Sequence, residues 1–111
     1  GASLVLQGGA ASTHVGGSRV VNTGAGGLGA FGVNSADSNN FVTGCFFRGD
    51  AGPVVLLTGA TSRILLMDSF VEVGSLGGQA ISGTVGSTLE KSNIGVRGGG
   101  VSGVTVVSRE F

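Results

Sequence analysis

The chain has no tryptophan and no tyrosine, and only one each of cysteine, proline, methionine and histidine. With Cys45 alone, no internal disulfide can form. With one proline and no three-residue glycine period, its 24 glycines are not those of a collagen-like chain. Charge is scarce as well: charged residues make up 11% of the chain, against roughly 25% in an ordinary soluble domain. Six lysines and arginines balance six aspartates and glutamates, so the formal net charge is zero. That balance offers no basic patch to hold nucleic acid or an anionic membrane. No apolar run approaches the roughly 20 residues that span a bilayer, and the sequence does not open on a basic segment followed by an apolar one.

What is present is glycine together with small and β-branched residues. Glycine is about three times its usual share, yet 41% of the 111 residues are hydrophobic, too many for a disordered chain. Gly, Ser, Thr and Val are poor helix formers and suit strands and tight turns. The length suffices for a single domain, residues 1–111, with a modest core. Few charges beside many apolar residues imply a surface covered by a partner, most simply a second copy of the chain.

The clearest organisation lies in residues 54–73, three short apolar segments separated by a small-residue turn at 59–62 and a tighter one near Asp68. The same layout recurs along the chain. Leu4, Phe31, Leu56, Ile81 and Val104 each open a short alternating segment, at intervals of 23 to 27 residues. Alternation of this kind marks a strand with one buried face. A second series, Asn22, Cys45, Asp68 and Asn93, recurs at 23 to 25 residues; all four are small, and the three other than Cys45 suit a turn. Phe47 and Phe70 follow at a common offset. Glycine-rich connectors fall at 24–29, 49–53, 74–78 and 98–100, and the longest irregular insertion, 8–17, carries His14.

A repeat of this length fits parallel strands joined by long connections. One lap cannot bury its apolar face alone, but stacked laps can, each strand bonding to its copy ~4.8 Å away. Leu4, Phe31, Leu56, Ile81 and Val104 are then expected to form one inward column of about five coils, with Phe47 stacked on Phe70. Asn22, Cys45, Asp68 and Asn93 are expected to form a turn ladder. Lys91 falls where Leu66 points inward. Both ends leave strand edges that need cover, so the chain is expected to be a fragment of a longer fibre protein or to be protected by dimer or trimer packing. The alternative fold is an antiparallel β-sandwich.

This pattern resembles the right-handed parallel β-helix of the pectate-lyase-like superfamily, whose coils carry a small polar residue, often Asn, at the tight second turn. Asn22, Asp68 and Asn93 match that residue and Cys45 departs from it. Within the superfamily the low-charge, Gly-, Ser-, Thr- and Val-rich composition looks most like segments of bacteriophage tailspikes and tail fibres. The resemblance implies a homotrimer in the virion tail that attaches to host surface polysaccharide, with neither cofactor nor membrane insertion. It leaves open a polysaccharide hydrolase or lyase fragment and a secreted bacterial surface adhesin.

A glycosidase needs two carboxylates facing one sugar bond. The candidates are Asp50, Asp68 and Glu72, although Asp68 also reads as a turn residue and Glu72 as a solvated strand end. A lyase would draw on Arg63, Lys91 or Arg97, which also read as charges that keep a shaft in solution; no acidic cluster suits calcium. His14 has no acid or nucleophile near it in sequence, and Cys45 reads as a small buried residue. The run 24–29 is not a dinucleotide loop, since no helix pattern follows it. The lack of Trp and Tyr weighs against a glycan groove in this stretch, leaving it to a neighbouring region or absent altogether.

Overall fold

The computed structural model describes residues 4–7, 12–22, 31–34, 39–57 and 63–110, and among them there are strands and no helix. The strands are β1 (Leu4–Gln7), β2 (Ser12–Gly16), β3 (Arg19–Asn22), β4 (Phe31–Asn34), β5 (Asn39–Thr43), β6 (Phe46–Ala51), β7 (Val55–Leu57), β8 (Arg63–Gly77), β9 (Ile81–Gly83), β10 (Thr88–Arg97), β11 (Val101–Ser102) and β12 (Thr105–Ser108). One sheet has the order β1-β4-β7-β9-β11; the other runs β12-β10-β8-β5-β2, with β3 and β6 extending it beside β8. Among the described residues every pairing is parallel, which removes the antiparallel sandwich. The chain is all-β, its parallel strands lie in curled sheets, and the arrangement is compatible with a parallel β-helix.

In the first sheet Leu4 pairs with Phe31, Phe31 with Val55, Val55 with Ile81 and Ile81 with Val101. Two members of the expected column therefore change. Val55, fully buried, takes the place of Leu56, which stands beside Gly32 and Ser82 and is half-buried. A one-residue slip of register sends a side chain to the opposite face, and the fully buried Val54 just before β7 blurs the alternation that would have marked it. Val101 replaces Val104, because the last interval is only 20 residues; Val104 packs against the buried cluster from just ahead of β12.

The second sheet bends once in each repeat, and the bend obeys a simple rule. Along β8, Ile64 and Leu66 point inward, and after Asp68 the inward set becomes Ser69, Val71 and Val73. Alternation loses its phase because Asp68 has φ of 51°, so Met67 and Asp68 both face outward. Asn93 does the same in β10 with φ of 51°, and Gly44 and Gly17 do so at 63° and 60°. The register stacks these four residues in successive repeats. The turn ladder is thus Gly17, Gly44, Asp68 and Asn93. Asn22 is not in it, since it pairs with Gly49 in β6, and Cys45 lies one residue past it. Asn93 Nδ2 donates to Asp68 Oδ1 at 2.6 Å, tying two rungs together.

After three of these four positions the next residue donates its side chain back to the carbonyl two residues earlier, while Ile94 follows Asn93. Ser18 Oγ reaches Gly16 O at 3.2 Å, Cys45 Sγ reaches Thr43 O at 3.4 Å and Ser69 Oγ reaches Met67 O at 2.8 Å. Cys45 therefore stands in a serine position, buried, with its thiol turned to carbonyls. Between the two sheets Val42, Phe47, Leu57, Ile64, Leu66, Val71, Ile81 and Leu89 have no exposed surface.

The same phase change corrects the aromatic pair. Phe47 pairs with Val71 and enters the core, while Phe46 pairs with Phe70, their rings 5.9 Å apart and 7° from parallel. The segment 8–17 is not wholly irregular either, since β2 carries His14 within a strand. The run 24–29 lies outside the described residues.

Left-handed geometry costs a non-glycine residue roughly 1–2 kcal/mol. A Cβ on Gly44 would have Gly17 N as its nearest neighbour, at 3.8 Å, so no clash adds to the strain. Gly44→Ala is expected to lower unfolding free energy by about 1 kcal/mol in urea titration, and Gly44→Asn by clearly less, because Asn tolerates this conformation. Equal losses for the two variants would contradict the turn geometry.

Candidate functional site

Among the described residues the inward rows are mostly apolar and buried, so most polar groups lie on the outward rows. On the arm before the bend, register sets His14, Phe41, Leu65, Glu90 and Val107 side by side. On the arm after it, one row holds Arg19, Phe46, Phe70 and Gly95 and the next holds Val21, Arg48, Glu72 and Arg97. The guanidinium carbon of Arg19 sits 5.5 Å from the Phe46 ring centre, within cation–π range. Gly95 closes that row for a steric reason: a Cβ there would come within 2.5 Å of Phe70 Cδ2.

In one of these rows the charges alternate in sign, as Arg48, Glu72 and Arg97. Glu72 accepts from Arg97 Nη1 at 3.4 Å and lies 3.4 Å from Arg48 Nε, and Arg48 Nη1 also donates to Asp50 Oδ1 at 2.5 Å. On the other arm Glu90 is paired with Arg63 and lies 3.3 Å from Arg109 Nε. Glu72 and Glu90 thus each stand between two arginines from neighbouring repeats. The hydrogen bond from Arg63 is the main reason that the Glu90 carboxyl titrates below the ordinary value of 4.5; the charges of Arg109 and Arg63 add to it, and burial opposes it.

Of the catalytic candidates, Asp50 and Glu72 meet at Arg48, whereas Asp68 is held at the bend by Asn93. The three do not form one carboxylate group. The basic candidates are also dispersed. Arg63 lies outside on the first arm and Arg97 outside on the second, while Lys91 pairs with Leu66 on the inward side and is half-buried. His14 Nε2 is 2.9 Å from Thr43 Oγ1. No group of three His, Cys, Asp or Glu among the described residues is placed to hold a metal ion.

Among the described residues two hollows stand out on the surface. One, about 140 Å³, is lined by Asn40, Phe41, Arg63, Ile64, Leu65 and Glu90. Phe41 is 44% exposed there, and Asn40 Nδ2 donates to Arg63 O at 3.1 Å. The other, about 560 Å³ and wide open, lies between the Asn93 bend and residues 108–110, where Arg109 and Glu110 oppose each other in charge. Sequence reasoning missed the first hollow. Phe41 reads as one half of an apolar pair with Val42, and only the phase of the alternation places it outside.

Because the folded Glu90 carboxyl titrates below its unfolded counterpart, its pairing stabilises the fold above about pH 4.5 and is lost as pH falls through the lower folded value. Glu90→Gln is expected to reduce urea stability at about pH 7 and to make little difference at about pH 3. An equal loss at both pH values would show that charge pairing is not what Glu90 supplies. No protein-family model, curated protein or solved structure matches the chain.

Proposed function

We propose that the chain is a right-handed parallel β-helix of five coils. In this reading it forms a shaft segment of a homotrimeric attachment fibre of the bacteriophage tailspike kind, which binds bacterial surface polysaccharide without cleaving it. The repeated parallel register supports the coil. The choice of binding over cleavage rests on one observation: Asp50, Glu72 and Glu90 are each committed to an arginine and Asp68 to an amide. A general acid needs a carboxyl held protonated near neutral pH, and the pairing of Glu90 drives it the other way. Exposed apolar side chains on a weakly charged chain support self-association, with Leu76 at 59% exposure and Val85 at 91%.

The enzyme reading retains one favourable contact, the meeting of Asp50 and Glu72 at Arg48. A reducing-sugar assay on capsular and O-antigen polysaccharides is expected to show no release. Release that disappears in Asp50→Asn, Asp68→Asn or Glu72→Gln would establish the enzyme instead. Light scattering is expected to give three times the chain mass, and a monodisperse monomer would remove the trimer.

A further inference from the structure

We propose that the hollow beside Phe41 seats one sugar ring of an acidic polysaccharide, with the sugar carboxylate taken by Arg63. The inference rests on the polysaccharide-binding reading and gives it a location and a charge. Three observations converge on it. The hollow has about 140 Å³ and a floor of Leu65 and Phe41, room for a single ring against an apolar surface. A pyranose offers an apolar C–H face and polar edges, so it needs such a floor together with donors and acceptors at the rim. Arg63 and Glu90 supply both kinds of group there.

Charge decides which sugar. Glu90 is 14% exposed in its side chain and lies between Arg63, 51% exposed, and Arg109, 47% exposed. One carboxylate shared by two guanidiniums leaves a positive charge in excess, and the more exposed partner lies in the hollow. A guanidinium receives a carboxylate through two parallel N–H donors, a geometry that an ammonium does not offer. Asn40, 2% exposed, donates to Arg63 O and fixes the backbone from which that side chain leaves. The outward row His14, Phe41, Leu65 and Glu90 crosses four rungs, ~14 Å at ~4.8 Å each. A glycan lying along the stack would therefore pass from His14 to Glu90, with its acidic ring between Phe41 and Arg63.

The test is isothermal titration of the intact chain with a glucuronate-containing hexasaccharide and with its carboxyl-reduced form. The acidic form is expected to bind at least tenfold more tightly. Arg63→Gln should abolish that difference, with Arg63→Lys restoring only part of it, and Phe41→Ser should weaken both forms. Arg97→Gln, on the other arm, should leave both unchanged, and circular dichroism should show every variant folded. Inorganic phosphate should not compete, because it offers no ring to Phe41. Equal affinity for the two hexasaccharides, or an equal loss from Arg97→Gln, would overturn the acidic-sugar site while leaving polysaccharide binding elsewhere intact. Competition by phosphate would reduce the site to a simple anion contact and overturn the sugar assignment. No binding to either form, nor to any capsular or O-antigen polysaccharide, would instead defeat the broader reading.

Discussion

Gly17, Gly44, Asp68 and Asn93 hold φ between 51° and 63°, and the division between core and surface depends on them. A strand sends alternate side chains to opposite faces. At each of these residues two successive positions face out, and the alternation restarts in the opposite phase. Without that reset, Val71 would face solvent and Phe70 would enter the core. Backbone bonding runs on around the corner, with Gly44 N donating to Met67 O and Phe70 N to Cys45 O. The bend therefore redirects the sheet without ending its ladder.

The relative size of the forces follows from that division. Burying a Val, Leu, Ile or Phe side chain contributes roughly 1.5–3 kcal/mol, and an exposed ion pair roughly 0–1 kcal/mol. The inward columns therefore hold the fold together, and the arginine–glutamate rows add little by comparison. Their alternation still matters, since like charges set directly opposite each other on adjacent strands destabilise a sheet. Arg48, Glu72 and Arg97 avoid this by changing sign at every rung. A parallel stack repeats its side chains at close spacing, and a low overall charge makes such order easy to achieve.

The architecture was largely legible in the sequence and the side-chain detail was not. A period near 25 residues is carried by many positions at once, so an error in one leaves it visible. Orientation at one position depends on phase, and a single left-handed residue shifts it. Cys45, Phe47 and Leu56 were each misplaced by one residue for this reason, while Leu4, Phe31 and Ile81 do pair along one sheet as expected. Asp68 and Asn93 could be recognised because their residue types tolerate the turn. Gly17 and Gly44 were concealed by the other 22 glycines. The hollow at Phe41 was hidden for a related reason, since it brings together residues from three repeats and no local motif marks such a place.

Lys91 shows where the interior changes character. Its column runs Val15, Val42, Leu66, Lys91 and Ser108, hydrocarbon for three rungs and then an ammonium and a hydroxyl. An ammonium keeps its hydration wherever its stem allows. That column thus turns from hydrocarbon to polar within one strand spacing of ~4.8 Å, while Leu89 on the same strand stays fully buried. Beyond Leu66 that column ends in a half-buried ammonium stem and an exposed hydroxyl, so it leaves no further hydrocarbon bare.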